Sequence, residues 1–324
     1  MISSIRTLIV FAAMSCIAAP PAAFAQAYPS KPIRIIMAVG GGAEVVTRLT
    51  AQKMSEDFGQ PVLVEMQPGA AGAIGADMVA RSAPDGYTLL LAGTSSQIMR
   101  PFLAKNTPYD PIRSFTPIIR VAEAVLCVLA NPSLPMNSLK ELVDYAKRNP
   151  GKISYGSSGI GTNHHLSAEL VKQVAGIDMV HVPYKGGADV LTGLVTGQVP
   201  VAFGILATAT SQVKSGKVKI LAINNAKRYS AMPDIPTVSE QVPGYEPPPG
   251  WMGYLGPAGL PRPLVGRLYN ELVKVLAQPD IRAKAEGIGF TVETNTPEEY
   301  AAQIKHDLAL VGKIVKAAGI QPED

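Results

Sequence analysis

The chain has 324 residues, 47% apolar and 17% charged, and its 29 basic against 25 acidic residues give a formal charge of +4. That balance is too mild and too dispersed for a nucleic-acid surface, because no lysine/arginine run exceeds two residues. After residue 25 the only cysteine is Cys127, which excludes an internal disulfide, and no stretch reaches the roughly 18 uninterrupted apolar residues of a membrane span.

The first residues read as an export signal. Arg6 gives a basic start, residues 7–19 an apolar run, and Ala23-Phe24-Ala25 an A-x-A cleavage site. Residues 1–25 are therefore expected to be removed, and the roughly 300 that remain suffice for two domains with their own cores.

From there strand and helix signals alternate. Residues 33–38 are expected as a strand, 43–58 as a helix, 62–66 as a strand, 72–81 as a helix and 88–92 as a strand. After a proline-rich passage, residues 121–130 form a run that is apolar apart from Glu123 and is read as a strand buried on both faces, with Cys127 inside it. Ser138 and Glu141 have capping-box spacing and open a helix that stops at Asn149-Pro150-Gly151. Strand–helix pairs follow at 153–155 with 163–174, 179–182 with 188–196, and 199–203 with 206–214, then a strand at 218–223. A helix is expected at 263–277, and a last one opens at Thr296-Pro-Glu-Glu299 with Tyr300, Ile304, Leu308, Val311 and Val315 along one side. Such alternation predicts parallel sheets covered on both faces by helices, an α/β fold. The proline-rich passages 106–117 and 243–249 are natural places for the chain to change lobe.

The most telling stretch is Lys152-Ile-Ser-Tyr-Gly-Ser-Ser-Gly-Ile-Gly-Thr-Asn-His-His165. A short strand ends in a loop of glycines and hydroxyls and a helix starts at once. Outward-pointing backbone N–H groups at such a loop receive a carboxylate or phosphate. A second junction of this kind surrounds Gly40-Gly41-Gly42. The two together predict a small acid held between two lobes.

The same residues carry a family resemblance. Tyr28-Pro-Ser-Lys-Pro-Ile33, Ala83-Pro-Asp-Gly-Tyr-Thr-Leu-Leu90, Asn106-Thr-Pro-Tyr-Asp-Pro111, Tyr155-Gly-Ser-Ser-Gly-Ile-Gly-Thr162, His181-Val-Pro-Tyr-Lys-Gly186 and Met232-Pro-Asp-Ile-Pro-Thr237 run in order along the chain. It resembles the substrate-binding proteins of tripartite tricarboxylate transporters, the Bug family. The resemblance implies a two-lobed periplasmic-binding-protein fold of type II, each lobe a mixed, mostly parallel sheet flanked by helices, with the ligand cleft between lobes. It places residues 28–127 and 250–324 in lobe 1 and residues 128–249 in lobe 2. The implied function is periplasmic binding of a small organic carboxylate for delivery to integral membrane transporter subunits, by a monomer without cofactor or metal.

By that resemblance, Gly40, Gly41, Gly42, Ser157, Ser158, Gly159, Gly161 and Thr162 hold the carboxylate. Thr94, Ser95 and Ser96 are expected to face the same cleft, with His165, Tyr184 and Lys185 on its walls. The first loop departs from the family pattern: it is about two residues shorter, lacks a proline, and places Glu44 where an aspartate is usual. Gly204 stands where an acid is common, and Met66-Gln67 replaces a frequent Asn-Arg. If Glu44 faces the cleft, it selects acids that carry a neighbouring donor group.

Other function classes find less support. There is no G-x-S-x-G elbow for a hydrolase, no phosphate loop and no dinucleotide fingerprint. His164 and His165 diverge by about 100° on a helix and cannot share one metal. A ligand sensor acting on a membrane kinase is the alternative reading, and a secreted hydrolase a further one.

Overall fold

The structure, a computed structural model, describes residues 28–39, 43–67 and 69–322. The expected export signal lies outside the described residues, as do Gly40, Gly41 and Gly42. Among the described residues no helix is long and apolar enough to cross a membrane.

The first part of the chain runs β1 (Ile33–Met37), α1 (Ala43–Phe58), β2 (Val62–Met66), α2 (Ala73–Ala80), β3 (Thr88–Gly93), α3 (Arg100–Leu103) and β4 (Phe115–Ala124). The middle runs β5 (Leu126–Ala130), α4 (Leu139–Arg148), β6 (Ser154–Ser157), α5 (Asn163–Ala175), β7 (Val180–Pro183), α6 (Gly187–Val195), β8 (Val201–Ile205), α7 (Leu206–Lys214), β9 (Lys219–Ile223) and α8 (Val238–Gln241). The chain closes with β10 (Trp251–Pro257), α9 (Arg262–Leu276), α10 (Pro279–Gly287), β11 (Phe290–Thr291) and α11 (Pro297–Ala317).

Two sheets result. One is six-stranded in the order β11-β4-β10-β3-β1-β2, the other five-stranded in the order β7-β6-β8-β5-β9. The same scheme underlies both. In each, the first βα units make a parallel trio (β2-β1-β3 and β7-β6-β8), and the fourth strand is reached through one antiparallel strand, β10 or β5. That inserted strand is the one that has just crossed from the other half. The sheets are therefore mixed as expected, with a smaller parallel share than βα alternation alone suggests.

The apolar run 121–130 is not one strand. It breaks at Val125, with β4 on one side and β5 on the other. The break is set by distant partners: Asn225 accepts from the Leu126 amide at 2.9 Å and donates to the Ala124 carbonyl at 2.8 Å. The Val125 amide meanwhile donates to the Gly289 carbonyl at 3.0 Å. Every residue from Ala124 to Ala130 is buried, including Cys127, so no change of hydrophobic period marks the turn. Of the two proline-rich passages, only the second changes halves; residues 106–117 lead into β4 within the six-stranded sheet.

Helix ends follow local chemistry. Thr296 and Glu299 form the reciprocal capping box at α11. At α4, Ser138 accepts from the Glu141 amide, but the Glu141 carboxylate bonds the Asn137 amide one residue before the cap. The expected face of α11 is buried at Tyr300, Ile304, Val311 and Val315 against a core that runs through both halves.

Candidate functional site

In each sheet the chain leaves the central strand toward one side and returns on the other: β1 lies between β2 and β3, and β6 between β7 and β8. Such switch points leave a crevice beyond the strand ends. Both crevices open into one cleft of about 510 Å³, lined by Thr94 and Ser95 after β3, Ser158 and Ile160–Asn163 (residues 160–163) after β6, and Ile205 at the end of β8. Ala124, Leu126 and Gly250, at the chain crossings, also line it. The volume lies within the roughly 300–1,000 Å³ of small-ligand sites.

The loop after β6 is built around left-handed glycines. Gly161 (φ 73°) sits so close to Leu103 from the other half that a Cβ would lie 2.6 Å from its Cδ1. Thr162 is the N-cap of α5: its hydroxyl donates to the Gly159 carbonyl at 2.8 Å and accepts from the His165 amide at 3.4 Å. The Asn163 and His164 amides stand in the first helical turn, where no intrahelical acceptor exists, and carry the positive end of the helix dipole. Asn163 anchors this end. Its amide donates to the Pro248 and Pro249 carbonyls, and its oxygen ends a one-way chain from Tyr245 through Asn224 and Ser167.

Behind the loop lies a stack of rings. His165 and His181 are 4.0 Å apart at their centroids and 9° from parallel, and Tyr155 covers the other face of His181 at 4.9 Å. His165 Nδ1 accepts from the Gly161 amide at 3.0 Å, and His181 Nε2 bonds the Ser157 hydroxyl at 2.7 Å. Burial, aided by neighbouring His165, pushes His181 down to about 4. Burial also lowers His165. Glu169 receives Tyr155 Oη at 2.6 Å and Lys172 Nζ at 2.8 Å. Burial works to raise this carboxyl, yet those two donors hold it below the usual range. These groups orient the loop from behind.

His164 does reach the cleft. Its Nδ1 is 2.7 Å from the Ser158 hydroxyl, and burial pushes the ring down to about 4, so it is neutral near pH 7. In the tautomer that donates from Nδ1, the Ser158 hydroxyl hydrogen is free for a ligand oxygen.

The facing wall comes from the turn after β3. Thr94 is buried and Ser95 exposed to the cleft. Arg100 is the one cationic side chain that lines it, and no aspartate or glutamate does so among the described residues. Sequence reasoning missed Arg100 and assigned the anion to amides and hydroxyls alone.

Of the residues singled out in the sequence, the structure brings Thr94, Ser95, Ser158, Gly161 and Thr162 to the cleft wall. Gly159 lies just behind, its carbonyl taken by Thr162 and Ser157. Ser96 is buried, with its hydroxyl on the Gly93 carbonyl, and Ser157 and His165 belong to the layer beneath. Tyr184 packs over Gly193 and reaches Gln198, and Lys185 is exposed on the surface. Glu44 pairs with Arg48 one turn on at 2.8 Å. Gly204 lies in β8 opposite Cys127.

A second cavity, of about 310 Å³, lies behind the same crossing. Glu123 and Val125 line it while Ala124 and Leu126 line the front cleft, as alternating side chains of an extended strand must. Its walls carry Arg120, Asn225, Lys227, Glu246, Glu293, His306 and Asp307.

Twin sheets with exchanged antiparallel strands, and a cleft at both switch points, define a two-lobed periplasmic-binding-protein fold. Within that class the chain belongs to the TctC family: the model of the "Tripartite tricarboxylate transporter family receptor" matches residues 46–320. A UPF0065 protein of Bordetella pertussis is 32% identical over 96% of this chain and 97% of its own. The structure of the periplasmic binding protein BugD is similar at 34% identity and TM-score 0.72, over 91% of this chain and 100% of that one. R. palustris Rpa4515, solved with adipate, is 30% identical with TM-score 0.77 over 91% of this chain and 100% of its own.

Proposed function

We propose that this chain is a periplasmic receptor that binds a small organic carboxylate in the front cleft and delivers it to integral membrane transporter subunits. The observation that carries the reading is the composition of that cleft. Two hydroxyl-bearing turns and the N-terminus of α5 converge there beside Arg100, and no carboxylate side chain opposes them among the described residues. Such a lining attracts an anion and repels a cation. Each hydrogen bond to a charged group contributes roughly 1.5–3 kcal/mol, so three or four reach the roughly −8 kcal/mol of micromolar binding once ordering costs are subtracted. The receptor description of the family and the adipate in Rpa4515 support the same class of ligand.

Closure is a hinge motion about the crossings at Val125 and Pro249–Gly250 (residues 249–250), with residues up to Ala124 and from Gly250 in one lobe and those between in the other. The receptor works as a monomer and without chemistry. Ser158 and His164 have the reach of a nucleophile and its base. An imidazole pushed down to about 4 by burial is nonetheless a weak base near neutrality.

A thermal-shift panel of small mono-, di- and tricarboxylates and their neutral amides tests the binding. At least one acid is expected to raise Tm while its amide does not, and mass spectrometry should recover that acid unchanged. No stabilising acid, an equal effect of the amide, or a consumed acid contradicts the reading. Delivery is tested by deleting the gene, which should abolish uptake of that acid.

A further inference from the structure

The segment that supplies the wall opposite α5, residues 94–107, carries unsatisfied polar atoms on and behind that wall. Among the described residues seven buried side-chain polar atoms lack a hydrogen-bond partner, and four of them belong to Gln97, Arg100 and Thr107. Buried polar groups are almost always paired, so an unpaired cluster requires a reason. Gln97 and Arg100 lie one turn apart, where the π-helical turn Ser95–Met99 runs into α3. Turns of that kind recur at functional sites.

Arg100 is held but not neutralised. Its Nη1 donates to the Ala70 carbonyl at 3.0 Å and its Nη2 to the Asn106 carbonyl at 2.9 Å. A guanidinium has five donors, and its Nε is buried with none of its own bonds made. Its side chain forms no ion pair among the described residues, whereas Arg34, Arg48, Arg81 and Arg120 each have a carboxylate within 3.0 Å. A partly desolvated cation without a counter-charge is unfavourable unless an anion arrives.

The backbone it holds is also unusual. Ala70 and Ala71 both have positive φ, 53° and 55°, a conformation that costs an L-residue about 1–2 kcal/mol. Ala71 lines the cleft beside Arg100. Strain of this kind collects at ligand clamps.

We propose that Arg100 is a second anion anchor and sets the specificity of the cleft. On the reading that the Ser158–Thr162 turn takes one carboxylate, Arg100 takes a second anionic group at the far end of the ligand. Diacids are then selected over monoacids of the same length. Each Nη carries a second N–H beyond its carbonyl bond, and a carboxylate accepts charge-assisted bonds from such a fork.

Calorimetric titration with succinate, glutarate and adipate, each beside its monoacid (butanoate, pentanoate, hexanoate), tests the assignment. The wild type should bind its best diacid at least about tenfold tighter than the matching monoacid, equivalent to about 1.4 kcal/mol. Arg100→Gln should bring that ratio to about one. Arg100→Lys keeps the charge without the planar fork and should retain part of it, and this variant carries the test if Arg100→Gln does not fold. A wild type without preference, or a ratio untouched by either substitution, overturns the role of Arg100 and leaves acid binding standing. A uniform loss for all acids in step with Tm makes Arg100 a loop clamp only and likewise overturns it. Failure of every acid to bind removes both proposals.

Discussion

The two cavities on opposite faces of the β4–β5 crossing use similar residue types to opposite ends. At the rear, charges are consumed within the protein: Arg120 meets Glu293 at 2.6 Å, His306 meets Glu246 at 2.7 Å, and Lys227 approaches Glu293 at 3.7 Å. The last two contacts join the two halves. In front, among the described residues, the only cationic side chain on the wall has carbonyls for partners and no acid lines the cleft. Polar residues around a cavity do not by themselves mark a ligand site. The distinguishing sign is charge left without an internal partner.

The contrast can be broken by substitutions on either face. The largest effect is expected at Asp307, whose buried carboxylate accepts from Trp251 Nε1 at 2.6 Å and from Gln303. Burial raises this carboxyl and the Trp251 bond opposes the rise. Asp307→Ala leaves the indole N–H unpaired and should lower unfolding free energy by about 2–4 kcal/mol in urea titrations. The diacid-to-monoacid ratio should stay as in the wild type; a collapse of that ratio would show the rear and front to be one site.

Acid should weaken the front loop next. His164 and His181 are both held near 4, below the ordinary value of about 6.5. Between those values the unfolded chain binds more protons than the folded one, so stability rises with pH. The contribution is complete above pH 6.5 and is lost as pH falls through 4, up to about 3 kcal/mol for the buried His164 and less for His181, which is only half-buried and screened by solvent. Denaturation profiles of the wild type and His181→Gln should converge across this window, and parallel profiles would remove the neutral stack from the account.

Asn225→Ala removes both bonds that bend the chain at Val125 and should destabilise by about 1–3 kcal/mol. An unchanged urea midpoint would locate the origin of the break elsewhere. The smallest effect belongs to Glu44. Its carboxylate pairs with Arg48 on the exposed side of α1, so Glu44→Gln should shift stability by no more than about 0.5 kcal/mol. The ranking of amino, hydroxy and plain acids should stay the same; a changed ranking would restore the selecting role that the sequence suggested for it.

Much of the fold was legible because its signals are local. The βα alternation, the caps at Ser138 and Thr296 and the glycine-rich turn after β6 each depend on residues within a few positions. The break at Val125 was hidden because residues 124–130 around it are uniformly apolar and its cause, Asn225, lies 99 positions from Leu126. At the site, the hydroxyl turns were readable from type and spacing. Which hydroxyls reach the cleft was not, since Ser157 and Ser158 are neighbours that bond different histidines. Arg100 belongs to no motif, and its importance comes from what does not stand beside it.

The central claim is that the Ser158–Thr162 turn and α5 hold a carboxylate, and calorimetry on Ser158→Ala/Thr162→Ala with the most stabilising acid tests it most directly. The account predicts at least a tenfold loss of affinity, with about 1 kcal/mol lost from stability because Thr162 also caps α5. An affinity equal to that of the wild type would contradict it.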